Sequence, residues 1–270
     1  MKRLILCADD FAVNKAASLG IAALANAGRI SATSAMVLSP RWAVDAGLLQ
    51  AVREKIDVGL HLDWTSKFAH SAGHGMSLGA AMLRSVLGGF DQKAARAIID
   101  HQLDAFEAVW KSPPDHIDGH QHVQQFAGIR QALTAAIEQR YAPKNQPYLR
   151  LSTGVATDKS IKTKIIASMG ALRLARLATA AGIAHAPALS GIYDFGGGAK
   201  RYADLMSQWL QSAPDGCIVM CHPASLAEAD DEIGAARAWE YDYLLSGAFA
   251  RALLDFGVVV CRGTQIDSSA

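Results

Sequence analysis

Leu4-Ile5-Leu6-Cys7-Ala8-Asp9-Asp10-Phe11 opens the chain with five apolar residues in a row and stops them with two carboxylates. A short apolar run without polar alternation reads as a strand buried on both faces, the pattern of a parallel sheet. Asn14 can then cap a helix whose Ala and Leu residues run to Ala27, before Gly28 stops it. The βα unit recurs. Ser31 to Leu38, closed by Ser39-Pro40, reads as a second strand and Ile56 to Leu62 as a third, with a helix from about Trp42 to Lys55 between them. Repeated strand-then-helix units place a parallel sheet inside a layer of helices, and such folds build their sites at the C-terminal ends of the strands.

The same reading extends along the chain. Thr65 to Gly75 is a polar loop, Met76 to Phe90 a short helix ended by Gly88-Gly89, and Asp91 to Lys111 an amphipathic helix with Ile98, Ile99, Leu103, Phe106 and Trp110 on its apolar side. Pro113-Pro114 breaks that helix and leads into a fourth strand, followed by a helix from about Phe126 to Gln139. Tyr148 to Leu151 is a fifth strand, Lys159 to Ala181 one long helix, and Ala188 to Tyr193 a sixth strand. After a glycine loop at Gly196-Gly197-Gly198 and a helix from Tyr202 to Gln211, Gly216 to Cys221 forms another strand. A helix from Ile233 to Phe256 and a strand at Val258 to Cys261 finish the pattern. The fold expected is α/β: a single-domain, irregular, TIM-like (β/α) barrel with about seven strands over residues 1–265, and a short C-terminal tail at 266–270.

Composition bounds the function. The chain has 270 residues, 51% hydrophobic and 19% charged, enough for one sizeable core. A net charge of +1 without a basic block gives no footprint for nucleic acid or an anionic membrane. No apolar run reaches the roughly 20 residues of a membrane helix, and the first is too short for a signal-peptide core, so a cytoplasmic location is expected. Cys7, Cys217, Cys221 and Cys261 lie in or beside apolar runs and read as reduced thiols.

The fourth strand carries the chemistry. In Asp115-His116-Ile117-Asp118-Gly119-His120-Gln121-His122, three histidines and an aspartate fall at every second position, so on a strand His116, Asp118, His120 and His122 share one face. Crowded imidazoles and a carboxylate cost free energy unless a cation balances them, which a divalent metal does. Other strand ends add Asp9-Asp10, His61 and His222. Two histidines and one carboxylate with open positions make a catalytic metal site, while a second carboxylate serves as base and a remote histidine as acid. Adjacent Asp9 and Asp10 reach one site only if the chain turns at the strand end. His70 and His74 have His-x-x-x-His spacing, but Gly73 and Gly75 argue against a helix there, and they read as loop or substrate-facing residues.

Ala8-Asp9-Asp10-Phe11, Gly59-Leu60-His61-Leu62, His116 to His122, His222-Pro223 and, more weakly, Arg237 and Glu240 resemble the YdjC-like carbohydrate deacetylases, which include chito-oligosaccharide deacetylases. The resemblance covers nearly the whole chain. It implies hydrolysis of the N-acetyl group of an N-acetylglucosamine-type sugar, with one divalent metal ion, Mg²⁺ or Zn²⁺, as cofactor. It assigns Asp10, His61 and His120 as metal ligands, Asp9 as the base that deprotonates the attacking water, and His222 as the acid that protonates the leaving amine. Asp118, His122, Gln124, Arg237 and Glu240 are then supporting or substrate-binding residues. The partner implied is a small-molecule or oligosaccharide substrate; a homodimer is compatible with the sequence, which leaves the oligomeric state open. Where the family usually has Gly, His and Gly, this chain has Ala12, Gln124 and Ala224. Gln124, if the strand persists past His122, faces inward near the mouth and touches substrate. The alternatives are a non-catalytic carbohydrate-binding homologue and another barrel metalloenzyme, a sugar isomerase or a phosphoesterase.

Overall fold

Alternation along the first strand decides where the core sits. In a computed structural model that describes residues 1–155 and 160–266, β1 (Lys2–Phe11) turns Leu4, Leu6 and Ala8 towards the surrounding helices. Ile5 and Cys7 point inward, among Ala32, Tyr148, Leu189, Ile218 and Met220. Both faces are therefore apolar, which is why the run shows no alternation.

The remaining strands are β2 (Ala32–Ala35), β3 (Asp57–Leu62), β4 (His116–Gly119), β5 (Tyr148–Leu149), β6 (Leu189–Ser190), β7 (Ile218–Cys221) and β8 (Val258–Val260). They follow the spatial order β5-β4-β3-β2-β1-β7-β6, and every pairing is parallel. Between the two end strands, backbone bonds from Leu149 N–H to the Ala184 carbonyl (2.9 Å) and from Leu189 N–H to the Thr153 carbonyl (2.8 Å) stitch the sheet towards closure. Seven strands thus curl into a TIM-like barrel, as expected. β8 stands off this path and pairs with the start of β1, from Lys2 to Leu4.

Several expected elements differ in extent, each for a local reason. The long helix over 159–181 is two, Ile161–Ser168 and Ala171–Ala180, divided at Gly170. That residue has φ +132°, and a Cβ there would meet the Gln125 carbonyl oxygen at 2.4 Å. The final helix is likewise split into Gly234–Leu245 and Gly247–Asp255, because Ser246 leaves helical geometry and caps the second piece through Phe249 N–H. Gly198 begins the helix Gly198–Ser212 instead of lying in a loop, and Lys67–Ser71, inside the expected polar loop, is a short helix. Lys159 and residues 267–270 of the expected tail lie outside the described residues. No helix among the described residues is long and apolar enough to cross a membrane.

Candidate active site

A bulge at the end of β1 makes the site. The register with β2 shifts between Ala8 and Phe11, and Asp10 takes φ +65°, so the chain turns in the left-handed region instead of staying extended. The two neighbouring carboxylates, which an extended strand would send to opposite faces, both enter the barrel mouth. Asp9 and Asp10 are buried.

Asp10 divides its oxygens between two functions. Oδ2 accepts a hydrogen bond from Arg237 Nη2 at 2.7 Å, while Oδ1 faces His61 Nε2 at 3.4 Å and His120 Nδ1 at 3.1 Å. His61, from β3, is oriented from behind: its Nδ1 lies 2.6 Å from Asp118 Oδ1, and as an ionised carboxylate only accepts, Nδ1 carries a proton towards Asp118 and leaves Nε2 facing Asp10. Asp118 is itself held by the Ser34 hydroxyl at 2.5 Å.

Asp9 is gripped differently. Arg150, fully buried beside the end of β5, donates from Nη1 to Asp9 Oδ1 at 2.5 Å and from Nη2 to Oδ2 at 2.8 Å, and its Nη1 also lies 3.0 Å from Asp118 Oδ2. His222, just past β7, brings Nε2 to 3.7 Å from Asp9 Oδ2. Its backbone N–H donates to Glu240, whose other oxygen accepts from Tyr193 Oη at 2.6 Å, and Phe195 meets its ring edge-on.

The charges follow from these contacts. Burial pushes the Asp9 and Asp10 carboxyls up, but Arg150 and His61 beside the first, and Arg237 and His120 beside the second, outweigh it and hold both below the usual carboxylate range. Asp118 is lowered too: burial raises it, and Arg150 and His61 overcome that. Burial lowers His61, yet Asp118 and Asp10 win and bring it up to about 10. Burial dominates at His222, lowered to about 4, and at His122, lowered to about 3. Glu240 moves the other way, pushed by burial up to about 7.

Three groups of potential ligands lie close together among the described residues: Asp10, His61 and His120; Asp9, His61 and Asp118; and Cys7, His116 and Asp118. Their surroundings separate them. The second shares Arg150 between its two carboxylates, so a cation already occupies the balancing position. The third lies beneath the mouth, with the Cys7 thiol pushed up by burial and the His116 ring stacked on Tyr148. Only the first combines a carboxylate oxygen not held by an arginine, an imidazole fixed from behind by Asp118 and an open side towards solvent. Its donor set, one carboxylate and two imidazoles, fits a divalent ion. Charge agrees, because Asp9, Asp10 and Asp118 outnumber the two arginines beside them, Arg150 and Arg237, and the excess negative charge is what raises His61.

The fourth strand departs from its expected course. It ends at Gly119, and His120–Gln125 forms a tight 3-10 segment with Gln121 (φ 52°) and His122 (φ 64°) in the left-handed region. His116 and Asp118 share the inner face, but His122 arrives by a turn and bonds the Ser152 hydroxyl through Nδ1 at 2.9 Å. Gln124 does not continue an inward series. It is buried below the mouth, its amide donating to the Arg150 carbonyl at 3.1 Å, because the chain has already left the strand. The imidazole of His116 fits inside the barrel because Gly59 lacks a side chain; a Cβ there would lie 2.4 Å from the ring. His74 bonds the Asp63 carbonyl through Nε2 at 3.1 Å, away from the cluster. Arg150 escaped the sequence reading, although a lone arginine in an apolar strand buried on both faces is a legible sign of a buried carboxylate partner.

A parallel barrel whose mouth gathers paired aspartates and histidines presents a donor set that could hold a divalent ion. The chain belongs to the YdjC-like protein family, whose model matches residues 3–255. Among its relatives, mouse carbohydrate deacetylase is 28% identical over 148 residues, which are 50% of this chain and 47% of that protein. Chitooligosaccharide deacetylase of Yersinia pestis (strain Pestoides F) is 30% identical over 151 residues, 53% of this chain and 58% of that protein. The matched stretch thus spans about half the length of these relatives. A structure from Enterococcus faecalis V583, provisionally named for cellobiose-phosphate cleavage, shares the fold with a TM-score of 0.71 at 20% identity and covers 97% of both chains.

Proposed function

We propose that this protein is a metal-dependent hydrolase that removes the N-acetyl group from an acetylated amino sugar of the chito-oligosaccharide type. The observation that carries the reading is Asp10 Oδ1 aimed at two imidazole nitrogens while Asp9 and His222 stand together on the adjoining flank. The names of the mouse and Yersinia relatives support the substrate class. Asp10, His61 and His120 would hold the ion, and the imidazole donors favour zinc over magnesium. When bound, the ion supplies Lewis-acid polarisation of the amide carbonyl and of water.

The chain's own groups account for the protons. Asp9, ionised and fixed by two bonds from Arg150, accepts a proton from the attacking water. That proton must end on the leaving amine, and His222 Nε2, 3.7 Å from Asp9, lies on the path. Glu240 and Arg237 hold the backbone that presents His222, through its N–H and its carbonyl.

The test is acetate release from N-acetylated chito-oligosaccharides by protein with and without chelator, together with metal content of the Asp10→Ala and His120→Ala variants. Release that stops with chelator and returns with zinc is the expected result. No release under any metal, or ligand variants that retain both metal and turnover, would overturn the assignment.

A further inference from the structure

The cavity over the cluster is two-sided. It has a volume of about 840 Å³, with Asp9, Asp10, His61, His120, His222 and Arg237 at one end. Its apolar wall is built from Leu78, Met82, Ile161, Ile165, Ile166 and Met169, with Lys162 among them donating to the Tyr193 carbonyl at 2.6 Å. Leu78 and Met82 come from the helix Leu78–Val86 and the isoleucines from Ile161–Ser168. Both helices are tied to one short segment, since Ser85 Oγ accepts from Ala127 N–H at 3.0 Å and Gln125 Nε2 donates to the Ile166 carbonyl at 2.6 Å. Phe126, between those anchors, also lines the cavity.

Sugar rings do not suit that wall. A pyranose carries hydroxyls around its rim, each needing a donor or acceptor, and the side chains of Ile, Leu and Met provide none or, for the thioether, only a weak acceptor. The acetylated sugar therefore belongs at the charged end. The wall is left for a group without hydroxyls. Ile161 is 75% exposed and Ile165 49%, at the lip of the cavity, where branched aliphatic side chains bring no benefit unless something apolar covers them.

We propose that the physiological substrate is amphiphilic: an N-acetylated amino sugar bearing an apolar aglycone that seats between these two helices. This inference rests on the deacetylase reading for the sugar, and on the wall alone for the aglycone.

Zinc-loaded protein and the methyl, butyl and hexyl β-glycosides of N-acetylglucosamine test it, with chitotriose for comparison. Acetate-release kcat/KM should rise about fourfold per added methylene until the wall is covered, from about 0.8 kcal/mol of burial each. Replacing both lip residues, Ile161→Ser with Ile165→Ser, should flatten that rise. The same glycosides titrated calorimetrically into Asp9→Asn protein read affinity without turnover. Acetate release that is indifferent to chain length, with flat affinities, overturns the amphiphilic substrate and leaves the deacetylase reading standing. Affinity that climbs with chain length while the unmodified protein releases no acetate does the reverse. Flat affinities without release sink both. A flat series whose rates depend on protein concentration would give the wall to a second copy of the chain.

Discussion

The barrel has a buried acidic cluster at each end, and the two ends use their charges differently. At the closed end Asp57, at the start of β3, accepts from Arg262 Nε at 2.8 Å, Thr264 N–H at 3.0 Å, Thr264 Oγ1 at 2.7 Å and Tyr148 Oη at 3.2 Å. Its oxygens are saturated, three of the four bonds coming from the segment after β8, which packs against Tyr148, and the fourth from Tyr148 itself at the start of β5. At the mouth, Asp10 keeps one oxygen turned to imidazoles, and His222 Nδ1 is buried without a hydrogen-bond partner. Backbone strain follows the same division. Of the six non-glycine residues with positive φ among the described residues, Asp10, Ala12, Gln121, His122 and Phe195 stand at the mouth, and the sixth, Lys111, ends the helix Gln92–Trp110. A buried charge marks a structural plug when every lone pair is taken, and a site when one is left over.

Removing a charge at each end gives the sharpest contrast. Asp9→Asn should lower turnover by about a hundredfold to ten-thousandfold while metal content stays intact, because an amide cannot accept the proton the attacking water gives up. Single-turnover rates with metal analysis of the same sample check this; joint loss of metal and rate would mean that Asp9 is a ligand. At the closed end, Asp57→Asn should cost stability only, about 3 kcal/mol, since Arg262 is left with a partner gone but can still reach water. Urea midpoints and kcat on the same protein separate the two outcomes, and a fall in kcat at unchanged stability would erase the distinction between the ends.

Titration sharpens the comparison further. Glu240 is pushed up to about 7 from an ordinary value of 4.5, so between those pH values the folded state holds a proton that the unfolded state has released. Stability from this group is complete below about pH 4.5 and declines as pH rises to about 7, by roughly 3 kcal/mol in all. Glu240→Gln removes the term, so the variant should gain on the parent protein across that window. Denaturation midpoints measured from pH 4.5 to 7.5 would show it, and parallel curves would refute it. The smallest effect expected is at Ala12. With φ +73° it occupies a backbone region that costs an L-residue about 1 kcal/mol or more, offset in part by the entropy that glycine loses on folding. Ala12→Gly should therefore stabilise by about 0.5 kcal/mol, read as a small rise in Tm. Ala224, the other alanine where the family has glycine, has no positive φ and should gain nothing from the same change.

Strand-then-helix alternation, the seven-strand count and the candidate strand-end residues were legible from the amino-acid sequence, because burial on both faces and capping chemistry are local and leave periodic marks. Asp9, Asp10, His61 and His222 could be named for that reason, each standing where an apolar run stops, and His120 from the alternation of histidines in the fourth strand. Arg237 and Asp118 were named with them through the family resemblance, but which group each one meets could not be read. Arg150 meets Asp9 across 141 residues and Arg237 meets Asp10 across 227, distances over which composition and spacing carry no register. The strand's early end at Gly119 was equally hidden: left-handed φ at Gln121 and His122 is tolerated only where surrounding contacts hold it, so alternation read straight through to Gln124 sent that side chain to the wrong level. Local pattern determined which residues stand at the mouth. Closure of the barrel decided which oxygen of each carboxylate is taken and which remains for chemistry, because that depends on a three-dimensional balance of charge and hydrogen bonds that no single segment contains.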